Sequence, residues 1–205
     1  MDKIASELKG IKRAAIAGHV RPDGDCVGSC MGLYLYLREN YPEIETDVYL
    51  EQPRDAFSLI SHLDEIRTVC GGDEVYDVFF LIDTSTSDRI GVASEAYQKA
   101  RKRICIDHHV SNKALGDINV VKPDVSSASE VLFGLLDEEK VSKQAAEAIY
   151  MGMAHDTGVF NFPLPLRRPC ALPQSSWKKG LILQGSLMRP FTGKAMCRTR
   201  SWADA

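Results

Sequence analysis

The sequence predicts an α/β fold with a largely parallel central sheet flanked by helices, followed by an irregular C-terminal tail. Three observations predict it. Apolar runs of strand length at residues 14–17, 78–82 and 103–106 alternate with segments of helical length and pattern, as in a chain built from βα units. Each run is followed by polar chemistry: His19, Asp83, and Asp107-His108-His109. The strand ends of an open α/β sheet are where such folds bind ligands, so recurrent polar endings point to one shared crevice.

In order, residues 4–9 read as a short helix feeding a strand over 11–17. The turn Gly18-His19-Val20-Arg21-Pro22-Asp23-Gly24-Asp25 comes next, bent by Pro22 and Gly24 so that side chains two and four residues apart converge. It has two readings, a metal-binding turn or a capped turn with an incidental histidine. From 26 to 39 apolar residues recur at Val27, Cys30, Met31, Tyr34, Leu35 and Leu37, one face of a helix, stopped by Asn40-Tyr41-Pro42. A second strand is expected over 46–50, and a short helix and connection over 54–68.

The third strand, 78–83, ends on Asp83, which either caps the next turn or points into the ligand crevice. A helix over 92–101 leads to the strand 103–106 and the Asp107-His108-His109 cluster. After a loop containing Pro123, the run Ser126-Ser127-Ala128-Ser129-Glu130 opens a helix over 131–136. Its hydroxyls either cap that helix or hold a substrate phosphate through Ser127 and Ser129. A helix over 142–153 delivers His155-Asp156-Thr157-Gly158, a fourth polar cluster.

Composition bounds the function classes. A charged fraction of 26%, a hydrophobic fraction of 44% and a net charge of -3 describe an ordinary soluble domain with no polyanion-binding signal. No apolar leader or run of membrane length is present, which makes the cytoplasm the default location. Six cysteines without a C-x-x-C pair suggest neither a zinc knuckle nor a disulfide framework, and Cys26, Cys30, Cys70 and Cys105 read as small buried fillers.

Carboxylates and imidazoles from four places are hard to bring together in an empty crevice, because desolvated carboxylates raise each other's pKa. Cations resolve the conflict. Oxygen-rich ligation with some imidazole suits Mn²⁺, with Mg²⁺, Co²⁺ or Zn²⁺ next, and there are ligands enough for two ions, an arrangement suited to phosphoester hydrolysis.

The His19-x-x-x-Asp23-x-Asp25 turn, the Asp83 strand end, Asp107-His108-His109, and Asp156 within Gly-Met-Ala-His-Asp-Thr-Gly match in order and spacing over about residues 5–162. In these motifs the chain resembles the DHH phosphoesterase superfamily, and within it the DHH/DHHA1 branch of nanoRNases and pAp phosphatases more than the family II pyrophosphatases. The resemblance implies His19 and Asp23 on one metal, Asp25, His108 and Asp156 on a second, and Asp83 bridging both. It implies a catalytic role for His109 against the scissile phosphate with Asp107 behind it, attack by a metal-bridging hydroxide, and no ligand role for His155. The substrates it implies are short RNA and pAp, with linear or cyclic dinucleotides among relatives; a homodimer is a further expectation. A manganese pyrophosphatase and a non-catalytic metal- or nucleotide-binding remnant are the alternatives.

The resemblance assigns residues 1–162 to the DHH domain. From Pro163 the composition changes: residues 163–205 hold five of the nine prolines, both tryptophans, and eight Lys or Arg against one acid. The Gly-rich DHHA1 motif is absent from this tail. It reads either as a basic nucleic-acid arm using Trp177 and Trp202 or, as favoured here, as sequence whose reading frame was lost after Phe162, disordered in place of the DHHA1 domain.

Overall fold

The computed structural model describes residues 3–71 and 73–157. The expectations for the tail, and for Gly158, lie outside them. Five parallel strands form one sheet in the order β2-β1-β3-β4-β5: β1 (Arg13–Ala17), β2 (Glu45–Tyr49), β3 (Val78–Ile82), β4 (Arg103–Asp107) and β5 (Ile118–Val121). The chain runs from β1 outward to β2, then crosses back to lay β3 on the other side of β1. The strand order therefore reverses between β1 and β3, which puts the topological switch point where Gly18-His19 leaves one strand and Asp83 leaves its neighbour.

Both faces of the sheet are covered, which is why its central strands are continuous apolar runs. Val78, Phe80 and Ile82 point to the side packed by α1 (Gly24–Asn40), α3 (Ala128–Phe133) and α4 (Lys143–Asp156). Phe79 and Leu81 point to the other side, against Tyr49, Tyr76, Tyr97 and α2 (Ser94–Lys99). Each fully buried phenylalanine of β3 contributes about 2–3 kcal/mol of hydrophobic stabilisation.

α1 is buried from Gly24 through Leu37 because it lies between the sheet and α4. The two helices approach closely where both lack side chains. A Cβ on Gly28 would stand 2.5 Å from the Ala148 carbonyl and 2.7 Å from the Gly152 nitrogen, distances no side chain tolerates. This contact brings the start of α1, carrying Asp25, to the end of α4, carrying Asp156.

Several expected elements differ. Residues 4–9 form turns instead of a helix, anchored by Ile4 and Leu8 in the core. The segment 54–68 holds two single 3₁₀ turns, and the 92–101 helix shrinks to α2 after a 3₁₀ turn at Gly91–Ala93. β5 has no counterpart among the expected strands: it is four residues long at a half-buried sheet edge, too short for an alternating pattern to register. Cys26, Cys30 and Cys105 are buried as expected, whereas Cys70 is half-buried with its thiol near Glu74. No helix of the described residues is long and apolar enough to cross a membrane.

Candidate metal centre

His19 follows β1, and its ring is fixed by Nδ1 at 2.9 Å from the Val20 carbonyl. With Nδ1–H donating there, Nε2 faces Asp83 Oδ2 at 3.4 Å and Asp23 Oδ1 at 3.8 Å. Asp23 is the N-cap of α1: its Oδ1 accepts the backbone N–H groups of Asp25 and Cys26, both at 3.1 Å, as expected of a carboxylate at a helix start. The capping that the sequence offered as an alternative to ligation thus occurs together with the approach to His19.

Asp83 stands just past β3 with φ +53°, a left-handed conformation that aspartate adopts more readily than most residues. Its backbone N–H is held by the Ile106 carbonyl at 3.0 Å. Its Oδ1 lies 3.7 Å from His108 Nε2 and 3.6 Å from His109 Nδ1. On the far side, His108 Nε2 is 3.3 Å from Asp156 Oδ2 and 4.0 Å from Asp25 Oδ2. The switch point therefore gathers His19, Asp23, Asp25, Asp83, His108 and Asp156 from four segments. Asp83 stands between the His19 side and the His108 side.

Asp25 is wholly buried, and its carboxylate accepts N–H from Ala128 at 2.6 Å and from Ser129 at 3.0 Å at the start of α3. These contacts bear on Ser127 and Ser129, expected as possible phosphate contacts. Both are fully buried, and Ser127 Oγ accepts from Glu130 N at 3.1 Å as the α3 cap. Two backbone donors at this helix start already bind Asp25, and Ser127 fills the capping role that the sequence offered as the alternative.

Asp107 is likewise wholly buried. Its Oδ1 accepts from His108 N at 2.8 Å and lies 2.8 Å from His109 Nδ1, and its Oδ2 accepts from Asn112 Nδ2 at 2.6 Å. Both Asp107 oxygens are thus engaged, one of them by the His109 ring. His155, for which the resemblance implies no ligand role, sets Nδ1 3.7 Å from Asp156 Oδ1 at the exposed edge of the cluster, its ring edge-on to Phe57. Asn112 carries no signal in the sequence, because an asparagine three residues past a motif looks like ordinary loop chemistry. The sequence signal for Gly152 is a glycine inside an apolar helical run, a sign of close approach.

The electrostatics follow from crowding. Burial, then Asp156, raises the Asp25 pKa to about 7; burial, with Asp25 contributing, raises Asp83 to about 6; burial, then Asp83 and Asp23, raises Asp156 to about 6. Burial lowers the His108 pKa below its ordinary value. Burial works to lower His19, but the facing Asp23 and Asp83 carboxylates override it and raise it to about 11. The hydrogen bond to Asp107 raises His109.

Together these features define a class: an α/β domain with a carboxylate- and imidazole-rich centre at its sheet switch point. The model of the DHH family, N-terminal domain, matches residues 13–153, and the chain belongs to that family. It is 35% identical over 150 residues to the Bacillus subtilis bifunctional oligoribonuclease and PAP phosphatase NrnA, covering 71% of this chain and 46% of that protein. Against the protein of the same description from Thermus thermophilus it is 29% identical over 171 residues, covering 79% of this chain and 49% of the other. The crystal structure of an exopolyphosphatase-related protein from Bacteroides fragilis superposes with a TM-score of 0.76 at 25% identity, covering 87% of this chain and 56% of that one. The chain spans about half the length of the curated relatives it matches.

Phosphoesterases of this family are metal-dependent, and the residues present fit a cation. Among the described residues four donor groups, Asp25-His108-Asp156, Asp23-His155-Asp156, His19-Cys26-Asp83 and Asp83-Asp107-His108-His109, each bring their ligand atoms within 4.8 Å of one another. Asp83 Oδ1 is buried without a hydrogen-bond partner, a cost that proteins avoid unless something else satisfies the atom. The raised carboxylates supply the same argument from charge, since a divalent cation would remove the repulsion that holds protons on them.

Proposed function

We propose that this chain is a divalent-cation-dependent phosphoesterase acting on pAp and short oligoribonucleotides. The observation that carries the proposal is Asp83: a buried carboxylate at the switch point, with one oxygen toward His19 and the other, unpartnered, toward His108 and His109. The substrate class is brought from the relatives that carry those two activities in their description. In this reading His19 and Asp23 hold one cation, Asp25, His108 and Asp156 hold a second, and Asp83 serves both, with Mn²⁺ the best suited ion. When bound, such cations lower the pKa of water and neutralise phosphoryl charge.

The chain's own residues do the rest. Asp107 accepts a hydrogen bond from His109 Nδ1–H and so leaves Nε2 as the nitrogen available to the substrate. A raised pKa keeps that ring protonated further toward neutral pH, so His109 donates a hydrogen bond or a proton to a phosphate oxygen as charge develops. The Ala128 and Ser129 amides fix Asp25 from behind, so the carboxylate does not reorganise during the reaction.

The test is phosphate release from pAp, from a dinucleotide RNA and from pyrophosphate by the purified chain in Mn²⁺, each beside His109→Ala. Release from pAp or the dinucleotide that depends on Mn²⁺ and falls with His109→Ala supports the reading. Preference for pyrophosphate would replace it with a manganese pyrophosphatase. Cation binding without any release would leave a non-catalytic remnant.

A further inference from the structure

We infer that Asn112 is a positioning residue of this centre: its side-chain amide ties the carboxylate behind His109 to the backbone just past Asp83, and so sets the spacing of the two crevice walls. The inference deepens the phosphoesterase reading and rests on it for its kinetic part only.

Asn112 lies in the loop after β4. Its Nδ2 donates to Asp107 Oδ2 at 2.6 Å and to the Thr84 carbonyl at 3.1 Å, and lies 3.4 Å from Cys105 Sγ. Its Oδ1 accepts the Ala114 N–H at 2.8 Å. With acceptors on one side and a donor on the other, the orientation of the amide is fixed by chemistry, because the reverse would set its oxygen against a carboxylate and a carbonyl. Both amide hydrogens are therefore committed, one to each wall.

The wall on the β4 side is Asp107 and His109. Asp107 Oδ1 carries the His109 ring at 2.8 Å while Oδ2 is held by Asn112. Removing the amide frees a wholly buried carboxylate to turn about its Cβ–Cγ bond, and Oδ1 turns with it. The wall on the β3 side is Asp83, at φ +53°, whose following residue gives its carbonyl to Asn112. The loop between is itself bent, with Ala114 at φ +56°, and the Oδ1 contact to Ala114 N is the local turn that holds this bend. The 3.6 Å separation of His109 Nδ1 and Asp83 Oδ1 is thus spanned by one side chain bonded to both sides. Partners that orient a metal ligand or catalytic group from behind typically change affinity or activity 10–100-fold when lost.

The test uses the full chain with Asn112→Ala and Asn112→Ser, the serine keeping a short acceptor for Ala114 N–H but losing the reach to Asp107. Three quantities are measured: kcat and KM for pAp in Mn²⁺, the His109 ring tautomer by ¹⁵N NMR in the Mg²⁺ form at a pH where the ring is neutral, and the melting temperature without cation. We expect kcat to fall about 10–100-fold with KM within about twofold, and the Nδ1–H tautomer of His109 to give way to a mixture, in the serine variant even where the melting temperature is kept. A variant that loses stability alone, with wild-type kcat and the Nδ1–H tautomer intact, overturns the inference. If the unaltered chain releases no phosphate from pAp, the functional reading fails, while the tautomer comparison still decides the role of Asn112.

Discussion

The Asp25 carboxylate reaches across 104 residues of sequence to accept the backbone N–H of Ser129 at 3.0 Å, with the Ala128 N–H at 2.6 Å on its other oxygen. A group at the head of α1 thereby closes the head of α3, and the two helices are held at the crevice by one side chain. Asp25→Ala leaves two buried amide donors without acceptors. At about 1–3 kcal/mol for each unsatisfied group, partly offset by relief of the buried carboxylate, the cation-free chain should lose about 2–4 kcal/mol. Urea unfolding without metal measures this, and an unchanged midpoint would contradict the assignment.

Gly152 should be as sensitive as a ligand without being one. A Cβ there would stand 2.0 Å from Ser129 Oγ and 3.0 Å from Asp25 Oδ1, so Gly152→Ala must push α4 away from α1 and α3. The expected cost is about 1–3 kcal/mol, with weaker Mn²⁺ binding because Asp25 and Asp156 separate. Gly134→Ala is the control: its nearest neighbour would be the Val131 carbonyl at 3.5 Å, and it should bind Mn²⁺ like the unaltered chain. Calorimetric titration of the two variants compares them.

Ser127→Ala separates capping from phosphate binding. Loss of the α3 cap should lower stability by about 1 kcal/mol, and the KM for pAp should not move. A KM raised tenfold at unchanged stability would restore the phosphate-cradle reading.

The pH dependence has a definite sign. Asp25, Asp83 and Asp156 have folded pKa values raised to about 7, 6 and 6, above the ordinary carboxylate value near 4. Between about pH 4 and 7 the folded chain therefore holds protons that the unfolded chain has released, and cation-free stability falls as pH rises through that window. The lowered His108 opposes this with a single proton. Mn²⁺ competes with the same protons, so its affinity should rise over the same window and its binding should release protons. Melting temperatures across pH 4.5–7.5, with and without Mn²⁺, should diverge as pH rises; parallel curves would oppose a shared carboxylate site.

What was legible in the sequence was whatever is local. The strand runs before His19, Asp83 and Asp107 carry their own periodicity, and parallel pairing at a switch point then brings their ends together with no further information. What was illegible depends on long-range contact. The hydroxyls of Ser127 and Ser129 look the same whether a phosphate or Asp25 takes the neighbouring amides, and only the packing of α1 against α3 decides it. Asn112 is hidden for the same reason, since its partners Thr84 and Asp107 meet only when β3 and β4 pair. β5 is hidden because four half-buried residues at a sheet edge carry no pattern of their own.

The central claim is that one carboxylate, Asp83, serves two cations. Isothermal titration of the purified chain with Mn²⁺, beside Asp23→Ala and Asp83→Ala, tests it most directly. Two ions per chain are expected for the unaltered protein, one retained in Asp23→Ala, and both weakened in Asp83→Ala while that variant stays folded. A folded Asp83→Ala that still binds two Mn²⁺ ions with unaltered affinity would contradict the account.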